Sequence, residues 1–291
     1  MTVTVVIPCY NQQSYLHDCL ANLAKQKRRP DKVLIMDDGS QPALQVFSTF
    51  GLSVDLFQLP RNGGVAYAMN VGLTQVQTDL VVFVAADDKP RPGWLDYAVD
   101  MLEFSKKGLF TSPIRFHDPK IKASWDFRTP GFYSGVWEPD DLYALSAKHP
   151  LNIASHTAVW KTEALKSFGG FPGQCLWHCD WWATYGFAFQ HGLMYYDEVF
   201  SDVQISPIAY SAGMKGLVQG NVLKELFHLA KDNPLIWQTL GQHGWKMVRI
   251  IQQEAPVLLD GTLFRKALRR ELELFARRLP GPIQRRLLAG R

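Results

Sequence analysis

The first hundred residues alternate between short, continuous apolar runs and helical patterns, and no other feature constrains the fold as tightly. Val3-Thr4-Val5-Val6-Ile7 is an unbroken, largely β-branched run, the pattern of a strand buried on both faces. Leu16, Cys19, Leu20 and Leu23 follow at i, i+3, i+4 and i+7, the stripe of an amphipathic helix, which Pro30 and Asp31 break. Residues 32–36 read as a second strand, 54–59 as a third, and 80–85 as a fourth, buried by its continuity. Between the last two, Asn62-Gly63-Gly64 opens a helix carrying Val65, Ala66, Met69, Asn70 and Leu73. Strands alternating with helices predict an α/β fold with a mostly parallel, doubly wound sheet. Such sheets bind ligands beyond the carboxyl ends of their strands. Two acidic pairs fall there, Asp37-Asp38 after the second strand and Asp87-Asp88 after the fourth.

Beyond the fourth strand the pattern loosens. From about 110 to 215 the chain is aromatic and irregular, with Trp125, Trp137, Trp160, Trp177, Trp181 and Trp182. Residues 213–220 are glycine-rich and read as a linker. Helical patterns follow, the last a basic helix over about 262–279 with a stripe of Phe264, Leu268, Leu272, Phe275 and Leu279. These features predict one domain over 1–215 and a C-terminal helical extension over 216–291.

Charge is distributed unevenly. The net charge is +4, but residues 262–291 carry nine Lys and Arg against two Glu, so the rest of the chain sums to −3. The tail could lie on an anionic membrane surface or dock on the body with a solvated basic face. The body lacks the basic and aromatic interleaving of a nucleic-acid-binding module. Apolar content of 47% with 20% charged residues suits an ordinary globular chain. The N-terminal apolar run is too short for a signal peptide, and no stretch reaches the ~20 apolar residues of a membrane span, so a cytoplasmic location is expected. Cys9, Cys19, Cys175 and Cys179 suit reduced thiols. The spacing of Cys175 and Cys179 does not match the pair-of-pairs pattern of a zinc site.

Two carboxylates at the end of a buried strand repel unless something positive lies beside them. Hard oxygen ligands suit Mg²⁺ or Mn²⁺, which also bind substrate phosphates, so Asp87 and Asp88 are candidate metal ligands. The alternative is a solvated turn, for which Asp-Asp-Lys-Pro is good sequence. In Asp37-Asp38-Gly39-Ser40 a carboxylate can accept from a base N–H or a ribose hydroxyl, or simply close a turn. The glycines of Asn62-Gly63-Gly64 could turn a helix N-terminus toward phosphate. No Gly-x-Gly-x-x-Gly follows the first strand, which argues against a nicotinamide oxidoreductase.

Taken in order, Val6-Ile7-Pro8-Cys9-Tyr10-Asn11, Met36-Asp37-Asp38-Gly39-Ser40, Asn62-Gly63-Gly64 through Asn70-Val71-Gly72, and Ala86-Asp87-Asp88 with Pro92 and Leu95 resemble the family 2 glycosyltransferases of the GT-A fold. The resemblance is strong over about the first 100 residues and weaker to about residue 200. It implies a Rossmann-like GT-A domain, with residues 1–100 on the nucleotide-sugar side and 101–215 on the acceptor side. It implies a nucleoside diphosphate sugar donor, UDP or dTDP above others. Transfer would go to a hydroxyl of a saccharide or lipid-linked acceptor, with inversion, in bacterial polysaccharide or glycolipid synthesis.

Carried over residue by residue, the resemblance places Pro8, Tyr10, Asn11 and Gly63 around the nucleotide, with Tyr10 stacking near the base and Asp38 accepting from it. Asp88 would bind the metal, and Asp87 the ribose or the metal's water shell. The base is expected shortly after a Gly-Gly-Phe element; here Gly169-Gly170-Phe171 is followed by His178-Cys179-Asp180-Trp181-Trp182, which points to Asp180. The residue could also serve as a helix N-cap. Trp177, Trp181 and Trp182 are the candidate acceptor contacts. His156 could face the diphosphate or serve the structure. Cys179 stands where the family commonly has Glu, which keeps a non-catalytic nucleotide-sugar-binding or scaffold protein as the alternative.

Overall fold

The computed structural model describes residues 1–205 except 147 and 150, together with positions 221, 222, 225, 226 and 229. Two compact units are distinguished, Met1–Leu142 with Asn152–Ala212, and Tyr143–Leu151 with Gly213–Arg291. The elements below belong to the first unit, apart from the end of α4. The basic helix expected over about 262–279 lies outside the described residues. No helix among the described residues is long and apolar enough to cross a membrane.

The expected alternation is realised as β1 (Val3–Cys9), α1 (Gln13–Ala24), β2 (Lys32–Asp37), β3 (Val54–Gln58), α2 (Val65–Gln75) and β4 (Leu80–Phe83). β1 pairs in parallel with β2 and β4, and β2 with β3. Alternate residues of these strands serve opposite layers. Val5, Ile7, Val33 and Ile35 join Leu16, Leu20 and Leu23 of α1 in one buried cluster. Val6 and Met36 face the other way, onto α2. There Gly72 lets the helix lie close, since a Cβ would stand 2.6 Å from Val6 Cγ1 and 3.2 Å from Met36 Cγ. Overpacking of this kind costs about 1–3 kcal/mol, and the better helix propensity of alanine returns about 1. Gly72→Ala should therefore lower stability by about 1 kcal/mol in urea denaturation. An unchanged midpoint would show that α2 can lift off the sheet freely.

Two boundaries differ from the sequence expectation. α1 stops at Ala24, well before Pro30, because the segment after it is drawn toward a neighbouring loop: Gln26 is 3% exposed and its Nε2 donates to Arg91 O at 2.9 Å. β4 stops at Phe83, although Val84 N still donates to Val6 O at 3.0 Å. The chain then turns, closed by Asp88 N donating to Ala85 O at 3.1 Å, so the acidic pair sits in a loop beyond the strand.

Beyond β4, through the stretch that looked irregular, the described chain is built mostly of short elements. They are β5 (Lys89–Pro90), α3 (Trp94–Ser105), β6 (Leu109–Thr111), β7 (Ile114–Asp118), β8 (Ala123–Phe127), β9 (Gly135–Trp137), α4 (Pro139–Ser146), β10 (Val159–Lys161), α5 (Thr162–Phe168), α6 (Cys179–His191), β11 (Leu193–Tyr195) and β12 (Ser201–Gln204). The large sheet runs β3-β2-β1-β4-β10-β6-β11-β9, mostly parallel, with β10 and β9 antiparallel to their neighbours. α3 adds Trp94, Leu95, Ala98 and Leu102 to the α1 layer. A second sheet, β5-β12-β7-β8, starts directly after the Asp87-Asp88 loop. It is held by Asp202, whose carboxylate accepts from Arg91 Nε and Nη2 at 2.6 and 2.7 Å and pairs with His117 Nε2 at 2.7 Å. The hydrogen bonds from Arg91 hold the Asp202 carboxyl down at about 2.

Candidate active site

The loops beyond β1 and β2 are laced together. Ser40 Oγ accepts from Asn11 N at 2.9 Å, and Asn11 Oδ1 accepts from Gln41 N at 3.0 Å. Asn11 has φ 54, a left-handed conformation that asparagine tolerates better than most residues. Beside it Tyr10 is 46% exposed, with Pro8 half-buried below.

The two residues of the first acidic pair do different work. Asp37 is buried and closes its own loop, accepting from Ser40 N at 2.9 Å and Leu44 N at 3.0 Å. Asp38 reaches across to the start of α2: Oδ1 accepts from Gly63 N and Oδ2 from Gly64 N, both at 2.8 Å. Burial pushes the Asp38 carboxyl up, and these two amides oppose the rise. Gly39 makes the approach possible. It has φ +76, and a Cβ there would meet Asn62 N at 2.7 Å.

The second acidic pair is electrostatically loaded. Asp88 is 5% exposed, and burial pushes its carboxyl up to about 6. His156 opposes that rise, while the charges of Asp87 and Asp180 add to it. Residues distant in sequence thus share one field: the loop after β4, the loop before β10, and the first turn of α6. Among the described residues no lysine or arginine forms an ion pair with Asp87, Asp88 or Asp180. A cavity of about 200 Å³ opens beside Asp87 and Asp88, between Tyr15, Asp18 and Asn22 of α1 and Gln204 of β12.

Asp180 stands in the first turn of α6, where its Oδ1 accepts from Trp181 N at 2.7 Å and its Oδ2 from Ser155 Oγ at 2.6 Å. The Gly-Gly-Phe element before it is tied to α2. Asn70 Nδ2 donates to Phe171 O at 2.7 Å, and Asn70 Oδ1 accepts from Phe171 N at 3.0 Å. Two motifs a hundred residues apart in sequence are thereby joined. Of the tryptophans, Trp177 lies in the 3₁₀ helix Gly173–His178, and Trp181 stacks on Tyr185 with ring centroids 4.4 Å apart. Trp182 is half-buried on α6. All four cysteines are buried, and burial raises the Cys9 thiol to about 12. The sequence reading passed over Ser155; an isolated serine beside a histidine carries no periodic or motif signal.

The glycosyl transferase family 2 model matches residues 4–162, which include both acidic pairs. The chain belongs to glycosyl transferase family 2. Among family members, the pre-mycofactocin glycosyltransferase of Mycobacterium tuberculosis is 38% identical over 178 residues, covering 58% of this chain and 35% of that protein. The chain thus spans about a third of the length of that curated relative. The fold is shared with the solved structure of S. aureus TarS residues 1–349 in complex with UDP-GlcNAc, at a TM-score of 0.63, 17% identity, and coverage of 97% of this chain and 83% of that one. The mannosyltransferase PcManGT of Pyrobaculum calidifontis, solved with GDP-Man and Mn²⁺, gives a TM-score of 0.50 at 19% identity, covering 99% and 79%. The expected α/β GT-A fold, with its mostly parallel sheet, is what the chain adopts.

Proposed function

We propose that this family 2 member transfers a hexose from a nucleoside diphosphate sugar to an acceptor hydroxyl, with inversion and with a divalent cation. The observation that carries the reading is the shared field of Asp87, Asp88 and Asp180 beyond the carboxyl ends of the central strands. Tyr10 offers an exposed ring to the nucleotide base at the end of β1. Asp38, with one lone pair on each oxygen taken by a glycine amide, keeps further acceptor capacity for a base N–H. Asp87 suits the ribose or the cation's water shell.

The residues fit Mg²⁺ or Mn²⁺. Asp88 is buried, feels the repelling charges of Asp87 and Asp180, and among the described residues is opposed by His156 but ion-paired with no lysine or arginine, so a hard cation would relieve it. No three His, Cys, Asp or Glu side chains among the described residues form a cage for a metal. Water and diphosphate oxygens would complete the coordination shell, as Mg²⁺ commonly requires. When bound, such a cation neutralises charge developing on the departing diphosphate. In the transfer, the bond from acceptor oxygen to anomeric carbon forms as the bond from that carbon to the diphosphate oxygen breaks. Asp180 takes the acceptor proton, and the nucleoside diphosphate leaves with the electron pair.

TarS in complex with UDP-GlcNAc supports a UDP-linked donor. The teichoic-acid enzymes that match 30% of this chain support a polymeric or lipid-linked acceptor. The basic stretch 262–291 suits contact with an anionic bilayer carrying such an acceptor. The deciding experiment is thermal unfolding with UDP, dTDP, GDP, CDP and NAD, each with and without Mn²⁺. A ligand at ~100 times its Kd adds about 2.7 kcal/mol, which a melting curve resolves. A Mn²⁺-dependent rise with one pyrimidine diphosphate and none with NAD is expected. No rise with any nucleotide would overturn the reading.

A further inference from the structure

The loop that carries Ser155 is fastened on both sides by buried polar groups. Thr111 Oγ1 donates to Ala154 O at 2.7 Å. Thr157 Oγ1 donates to Ser112 O at 2.7 Å and accepts from Ser112 N at 3.1 Å. Trp94 Nε1 donates to Thr157 O at 3.1 Å. Thr111, Ser112 and Thr157 are all fully buried, at 0% exposure, so these bonds are shielded from competing water. The same loop is bound to the helix that bears Asp180: Tyr185 Oη, on α6, accepts from Ile153 N at 2.9 Å. Ser155 Oγ and Asp180 Oδ2, 2.6 Å apart, are therefore held at a fixed separation from both ends. A hydroxyl donating to an ionised carboxylate makes one of the stronger classes of protein hydrogen bond.

We infer that Ser155 is a positioning residue for Asp180. Its hydroxyl holds Oδ2, and the Trp181 amide holds Oδ1, so the carboxylate cannot rotate about its χ2 axis. The acceptor capacity left over on the two oxygens is then fixed in orientation for the acceptor hydroxyl. Ser155 does not touch the reacting atoms; it acts through Asp180. The inference rests on Asp180 being the base. A purely structural serine, in contrast, would serve only to bind the loop to α6, a task that Tyr185 already performs.

The test measures release of nucleoside diphosphate, using whichever of a set of UDP-, dTDP- and GDP-hexoses turns over fastest. Ser155→Ala is expected to lower kcat roughly 10- to 100-fold, the usual consequence of a misplaced reacting group, with donor KM within about twofold. Ser155→Cys keeps the volume with a weaker donor and should show a loss of the same kind. In an Asp180→Asn background, Ser155→Ala should cost nothing more, because the two residues act as a unit. Full kcat in both Ser155 variants, with Asp180→Asn inactive, would overturn the positioning role and leave the base assignment standing. An equal loss in the Asp180→Asn background would place the action of Ser155 elsewhere and overturn it too. Transfer retained by Asp180→Asn would remove the base assignment itself.

Discussion

Asp180→Asn is expected to bind nucleoside diphosphate as the native chain does and to transfer sugar roughly 10²- to 10⁴-fold more slowly, the usual contribution of a positioned general base. The change is nearly isosteric. An amide oxygen can still accept from Ser155 Oγ or from Trp181 N, so the first turn of α6 should keep its shape. What is lost is the capacity to take a proton. Donor binding is assigned to other elements, the loops after β1, β2 and β4, and should survive. Isothermal titration with nucleoside diphosphate beside turnover on the same preparation separates the two effects. A variant that binds and still transfers at the native rate would exclude Asp180 as the base; one that no longer binds would place it in the donor site.

Asp88→Asn should produce two effects of opposite sign. Divalent-dependent nucleotide binding should disappear, because asparagine brings no charge to a cation. The metal-free chain, however, should become more stable near neutral pH. The native Asp88 carboxyl is raised from its ordinary 3.8 to about 6, chiefly by burial. A raised carboxyl means that the ionised form costs stability: the cost is full above about pH 6 and gone below about pH 4, where the unfolded chain is protonated too. A shift of about two units corresponds to at most about 3 kcal/mol. In EDTA, guanidinium unfolding at pH 7.5 should favour the variant by about 1–3 kcal/mol, and the difference should fall to roughly a third of that at pH 4.5. A variant less stable than the native chain at pH 7.5 would show that Asp88 is already compensated without a cation.

The first hundred residues announced their structure because β1 and β2 are continuous apolar runs buried on both faces, so pattern and packing agree. The helix stripe of Leu16, Cys19, Leu20 and Leu23 is buried as its spacing requires. After Ser105 that agreement ends. β6, β9, β10 and β11 have three residues each, too few to show a period, and each owes its conformation to a partner distant in sequence. The second sheet is cross-linked by ion pairs among Arg91, Asp202, His117, Arg115 and Asp126, charged residues that a pattern search assigns to solvent. The same limit applies to the site. Asp88 stood out because two adjacent carboxylates after a buried strand demand an explanation. Asp37 and Asp38 could not be told apart from composition, yet one closes its own loop and the other spans to α2. Ser155 gains meaning only when α6 brings Asp180 within 2.6 Å of it.

The grip of Asp38 on the amides of Gly63 and Gly64 bears on how this lineage could drift toward a different nucleotide. The carboxylate proposed to read the base is also a bracket that sets where α2 begins. A substitution chosen to favour a purine would release two main-chain donors and loosen the helix that Asn70 links to the Gly-Gly-Phe element. A change in taste for the donor base would then arrive as a defect in architecture first. Descendants that altered their nucleotide would be expected to do so around Tyr10, at the open rim, and to leave Asp38 in place.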